Sequence, residues 1–103
     1  MRRTALAVGL CFFLCGAARA QEATVTIDNF AFTPSELKVK AGAKVTFVNR
    51  DDIPHNVVGE TVKFRSKAMD TNESFAITFD RPGEIAYFCG LHPMMKGRIT
   101  VTP

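Results

Sequence analysis

After residue 20, polar and apolar positions alternate along most of the chain. Thr24-Val25-Thr26-Ile27 and Leu37-Lys38-Val39-Lys40 alternate strictly. Val45-Thr46-Phe47-Val48-Asn49 is β-branched and aromatic, and Phe75-Ala76-Ile77-Thr78-Phe79 sets Phe75, Ile77 and Phe79 on one face. Ile85-Ala86-Tyr87-Phe88 and Arg98-Ile99-Thr100-Val101 complete the series. Period-two alternation turns one side of each strand to a core and leaves the other in water. Turn residues separate the runs. Ala41-Gly42 and Arg81-Pro82-Gly83 supply a fixed φ or access to positive φ, and Asp51-Asp52-Ile53-Pro54 interrupts the chain just before His55. The stretch 59–70 is the least periodic; it predicts either a short strand near Val62-Lys63-Phe64 or a loop. No helical period is sustained, and no repeat or low-complexity linker is present. Short strands punctuated by turns predict an all-β fold, an antiparallel two-sheet sandwich or barrel.

The first twenty residues follow a different rule. Arg2 and Arg3 precede an apolar run from Ala5 to Ala17, and Ala18-Arg19-Ala20 places small residues where a signal peptidase cuts. The apolar run of about 13 residues is short for a spanning helix. The three-part pattern is that of a secretory signal peptide, so residues 1–20 are expected to be removed and 21–103 to form one domain. Export to the periplasm, with no stable membrane insertion, follows from that reading. Charge then changes meaning. Losing Arg2, Arg3 and Arg19 takes Lys+Arg from 13 to 10, level with the 10 acidic residues. A near-neutral surface of interspersed charges removes the main argument for a nucleic-acid partner.

Cysteine changes the picture further. Cys11 and Cys15 fall in the leader, which leaves Cys89 alone in an oxidising compartment with no internal disulfide partner. A domain this small buries its core only marginally, so a bound metal is a credible staple. Cys89, His92 and Met95 form a Cys-x2-His-x2-Met run between two predicted strands. The only other histidine, His55, stands at the end of another strand. Taken singly, each residue has an ordinary explanation: buried thiol, surface imidazole, gap-filling thioether. Together they are one soft and intermediate donor set: two imidazoles, a thiolate and a thioether. That set suits a blue-copper electron-transfer site. A tetrahedral structural zinc site falls one Cys or His short, and haem attachment needs a Cys-x-x-Cys-His run that is absent.

Pro54-His55-Asn56 and Tyr87-Phe88-Cys89-Gly90-Leu91-His92-Pro93-Met94-Met95-Lys96-Gly97 resemble the cupredoxins, the blue-copper family of plastocyanin, pseudoazurin and amicyanin. The stretch Phe32-Thr33-Pro34-Ser35-Glu36-Leu37-Lys38-Val39-Lys40-Ala41-Gly42 is similar to the family's opening strands, and the gap between His92 and Met95 is similar to amicyanin. The resemblance implies a Greek-key antiparallel β-sandwich holding one copper ion that cycles between Cu(I) and Cu(II). It implies His55, Cys89 and His92 as strong ligands and Met95, rather than Met94, as the weak axial one. Asn56 would tie the two ligand loops together. His92 would be the electron exit, within a docking patch of His92, Pro93, Met94, Ile53 and Pro54. Gly90-Leu91 departs from the Thr-Pro or Ser-Pro often found between the family's cysteine and histidine.

The expected function is a periplasmic one-electron shuttle working as a monomer. Its donor and acceptor would dock transiently; an amine dehydrogenase, a cytochrome c, a reductase or an oxidase would each serve. The alternative is a copper carrier or buffer that hands on the metal, which the Met94-Met95 pair slightly favours. An enzyme is not expected, because the donors fill the site and no nucleophile–base or paired-carboxylate pattern stands out. An immunoglobulin-like adhesion domain would need none of these donors.

Overall fold

The computed structural model describes residues 21–103; the expected signal peptide, 1–20, lies outside the described residues. Eight strands follow one another: β1 (Glu22–Asp28), β2 (Ala31–Thr33), β3 (Glu36–Lys40), β4 (Ala43–Asn49), β5 (Val58–Gly59), β6 (Ser74–Phe79), β7 (Gly83–Phe88) and β8 (Lys96–Thr102). They form two four-stranded sheets, ordered β2-β1-β4-β6 and β3-β8-β7-β5. The all-β sandwich expected from the alternation is present, and every alternating run lies on a strand.

Two pairings are parallel: β1 with β4, and β3 with β8. The sheets are therefore mixed, which alternation does not announce, because the period is two in either direction. The cause is the path of the chain. After the β1–β2 hairpin it crosses to the second sheet as β3 and returns as β4 beside β1. A strand that comes back after crossing sheets is free to run parallel, whereas a direct hairpin is always antiparallel.

Inward positions of both sheets supply the core. Val25, Ile27, Val45, Phe47 and Ile99 have no exposed surface, and Phe32, Val39, Phe79, Ile85, Tyr87 and Val101 are buried beside them. Tyr87 stands at the centre, edge-on to Phe32 at 4.8 Å and to Phe47 at 5.2 Å between ring centroids. It fits because its register partner on β8 is Gly97. A Cβ at Gly97 would overlap the Tyr87 phenol and its hydroxyl.

The stretch 59–70 is a loop with isolated bridges rather than a strand at 62–64. Gly59 donates its N–H to the Phe64 carbonyl at 2.8 Å, and a Cβ there would collide with the Val62 carbonyl. Phe64 folds onto Phe75 and Phe79, at 6.3 and 6.0 Å, so the loop closes its own end of the core. The β1–β2 turn was also not foreseen. Asn29 and Phe30 have φ of 51° and 58°, which places both central residues of the hairpin in the left-handed region.

Candidate metal centre

The segment from Cys89 to Met95 is short, and its spacing has a physical reason. His92 donates its N–H to the Cys89 carbonyl at 3.2 Å, and Met95 donates to the His92 carbonyl at 2.9 Å. These are successive turns of the i to i+3 kind, in which every third side chain falls on the same side. Cys89 N–H bonds the Met95 carbonyl at 3.1 Å and closes the loop at its base. Cys89 and Met95 are buried, His92 is half-buried, and Met94, between turns, is 90% exposed.

His55 comes from a different part of the chain and is held by its backbone. It exchanges both hydrogen bonds with Met69, N–H to carbonyl at 3.2 Å and the return at 2.8 Å. The approach from β4 is shaped by Asn49, itself fully buried. Its side-chain amide donates to the Ile53 and Met69 carbonyls at 3.0 and 2.9 Å and accepts the Asp51 N–H at 2.9 Å. This is how a polar residue at a strand end can be buried without cost: each of its groups is paired.

The two segments meet at the thiol. Cys89 Sγ lies 3.6 Å from His55 Nδ1 and accepts the Asn56 N–H at 3.5 Å. Asn56 Oδ1 accepts the Gly90 N–H at 2.6 Å, so Asn56 bonds the Cys89 loop from both its backbone and its side chain. Gly90 suits the close approach, because a Cβ there would sit 3.1 Å from Asn56 Oδ1 and from Val58 Cγ2.

The far nitrogen of His55 is committed as well. Nε2 lies 2.9 Å from Asp51 Oδ2, and the same oxygen accepts the Phe30 N–H at 3.0 Å. These two contacts, the Phe30 N–H foremost, hold the Asp51 carboxyl below its ordinary range. An ionised carboxylate only accepts hydrogen bonds, so His55 donates from Nε2, and in the neutral imidazole this leaves the lone pair on Nδ1, toward the thiol. The Phe30 ring stands perpendicular to both imidazoles, 5.7 Å from His55 and 5.2 Å from His92, and the two imidazoles are 5.1 Å apart.

The structure thus brings His55 and Cys89 face to face, sets the His92 ring against the His55 ring, and buries Met95 on the same loop. Among the described residues, no three His, Cys, Asp or Glu side chains close to metal-binding distance, so His92 stands beside the pair rather than completing a trio with it. The residues nevertheless fit a late first-row ion. Metal bonds of about 2.0 Å to nitrogen and 2.3 Å to sulfur, meeting at a tetrahedral to trigonal angle, leave the two donors about 3.5–3.7 Å apart. The observed separation of 3.6 Å needs no backbone movement to span.

Around His92 lies an open depression lined by Phe30, Leu91, Pro93, Met94 and Met95. Of the expected patch, Pro93 and Met94 are exposed here; Pro54 is exposed and Ile53 half-buried, and neither lines the depression. Three contributors went unnoticed in the sequence: Phe30, Leu91 and Asp51. Phe30 had a signal, since a bulky aromatic follows Asn29 where a tight turn favours small residues. Asp51, four residues before His55, looked like turn chemistry alone.

Known proteins are similar to this chain in sequence and in fold. Residues 4–101 match the family described as Cupredoxin-like domain. The chain is 38% identical to amicyanin of Paracoccus versutus over 88 residues, covering 80% of this chain and 66% of that protein. It is 33% identical to amicyanin-alpha of Methylorubrum extorquens over 118 residues, covering 98% of this chain and 99% of that protein. A purple cupredoxin from Nitrosopumilus maritimus superposes with a TM-score of 0.75 at 29% identity, covering 78% of this chain and 99% of that one.

Proposed function

The chain belongs to the cupredoxin-like family, and on that footing we propose that it is a periplasmic blue-copper protein whose one copper ion is held by His55, Cys89, His92 and Met95. Copper supplies one-electron chemistry here by cycling between Cu(I) and Cu(II). The observation that carries the reading is the buried Cys89 thiol facing Nδ1 of His55 at 3.6 Å. Each residue has a distinct task. Cys89 provides a soft, fully buried sulfur ligand, tuned by the Asn56 N–H at its sulfur. His55 is anchored from its far nitrogen. Met95 is favoured over Met94 as the weak fourth donor that would complete the set, because its side chain is buried and that of Met94 is not. His92 is the half-exposed ligand through which an electron would leave.

A ligand set fixed by two cross-bonded segments changes little when the charge on the metal changes, which favours fast outer-sphere transfer over catalysis. The apolar surface around His92 suits a small, transient interface with a donor and an acceptor. An amine dehydrogenase, a cytochrome c, a reductase or an oxidase would each serve. Export is consistent with the expected leader, and no helix among the described residues is long and apolar enough to cross a membrane.

A second reading, a carrier that hands on copper itself, is favoured by one observation: the exposed thioether of Met94 beside His92. Visible and EPR spectra of the protein with one equivalent of Cu(II) test the first reading. An intense sulfur-to-copper band with narrow hyperfine splitting supports it, and a pale spectrum with broad splitting removes Cys89 from the ligand set. Repeated redox cycling against a chelator separates the two readings, since a shuttle keeps its copper and a carrier surrenders it.

A further inference from the structure

The β1–β2 turn poses a question that the ligand set does not answer. Phe30 has φ of 58°, a conformation that disfavours a residue with a bulky side chain and normally selects Gly or Asn. The residue is 53% exposed, so core burial does not explain the choice. Strained backbone persists where its surroundings over-determine it. Two contacts do so here. The Phe30 N–H is bonded to Asp51 Oδ2, and the Phe30 ring stands edge-on to His55 and His92.

Asp51 is itself held on every side. Its N–H is bonded to Asn49, its carbonyl accepts from Thr71 Oγ1 at 2.6 Å, and Oδ1 accepts the Asp52 N–H at 3.0 Å. Oδ2 is therefore a fixed point shared by a turn of one sheet and a candidate ligand. The two imidazoles differ sharply in what holds them. The His55 ring is bonded at one nitrogen and faces the thiol at the other. The His92 ring makes no hydrogen bond to another described residue, and its described ring neighbours are Phe30 and His55.

We propose that Asp51 and Phe30 form one positioning unit for the metal centre: a single carboxylate oxygen fixes the tautomer of His55 and, by holding the backbone of Phe30, wedges an aromatic ring against His92. The inference rests on the copper reading above for its purpose, but the orienting action belongs to the metal-free protein and is measurable there. Asp51 acts directly on His55 and only through Phe30 on His92. Replacing Phe30 by glycine relieves the turn and removes the wedge together. A purely structural role for the ring then predicts lower stability, whereas a positioning role predicts a stable fold with a loosened His92.

The test uses the metal-free and copper-loaded forms of wild type, Phe30→Gly, Phe30→Tyr, Asp51→Ala and Asp51→Asn. At one fixed pH above 8, long-range nitrogen–proton correlation reports the tautomer of each imidazole, and carbon relaxation reports its mobility. We expect wild-type His55 to carry its proton on Nε2 alone, Asp51→Ala to mix the tautomers, and Asp51→Asn, which keeps one oxygen, to fall between. Phe30→Gly should leave the urea midpoint unchanged or higher, mobilise the His92 ring, and speed copper loss to a chelator about two- to tenfold, the scale of one aromatic contact. Phe30→Tyr should restore wild-type behaviour. Unchanged His92 mobility in Phe30→Gly, or a single His55 tautomer in Asp51→Ala, overturns the proposal. If wild type binds no copper as a blue site, the copper reading fails, and the metal-free spectra still decide for or against the positioning unit.

Discussion

The hydroxyl of Tyr87 is buried without a hydrogen-bond partner among the described residues, in the middle of the sandwich. Replacing Tyr87 by phenylalanine removes that oxygen and keeps the ring against Phe32 and Phe47. An unpaired buried hydroxyl carries a desolvation cost of about 1–3 kcal/mol. Part of the gain is lost to the small gap left over Gly97, so the expected net effect is stabilisation by about 1 kcal/mol. For a domain of this size that raises Tm by about 4–8 °C. Urea denaturation of the metal-free protein at pH 7 measures it as a higher midpoint with unchanged slope.

The same burial pushes the Tyr87 phenol above its ordinary value of 10.0. The folded state thus holds this proton more tightly than the unfolded chain does. Nothing changes below pH 10. Above it the unfolded chain ionises first, and wild-type stability falls by about 1.4 kcal/mol per pH unit until the folded phenol titrates. The variant lacks this group, so its alkaline limb should be flatter. A Tyr87→Phe protein less stable than wild type by 1 kcal/mol or more would show that the hydroxyl is bonded, on the scale of about 1 kcal/mol for such a bond. An unchanged alkaline slope would refute the burial argument separately.

Three further outcomes follow from the same packing and donor geometry. Gly97→Ala places a methyl group into the Tyr87 phenol, and should cost about 1–3 kcal/mol by overpacking, read in the same urea titration; a neutral result would mean that β7 and β8 separate easily. Cys89→Ser should abolish the blue absorption and leave the circular dichroism of a folded β protein; a variant that stays blue would exclude the thiolate. Met95→Gln should retain copper and lower the reduction potential in voltammetry, since a harder axial donor favours Cu(II); an unchanged potential would shift attention to Met94.

Alternation by itself determined the strands at residues 24–27, 37–40, 45–49, 75–79, 85–88 and 98–101, because one face of each had to be apolar wherever the strand lay. Cys89, His92 and Met95 were legible for a related reason: contiguous spacing in a short loop is a local property, and the loop's own turns stack every third side chain. His55 was legible only because no other histidine existed to compete with it. The parallel pairings were not legible, since a period of two carries no information about direction. The preference for Met95 over Met94 came from the family spacing, and burial adds to it, since Met95 is buried and Met94 is exposed. Above all, the contacts that hold the site together join residues far apart in the chain: Asn56 to Gly90, Asn49 to Met69, Asp51 to Phe30. Hydropathy does not encode such pairings, because a polar residue reads as exposed until tertiary structure buries it with a partner. The sequence alone could name the candidate donors. Only the fold decided which of their atoms face one another, and which neighbours hold them there.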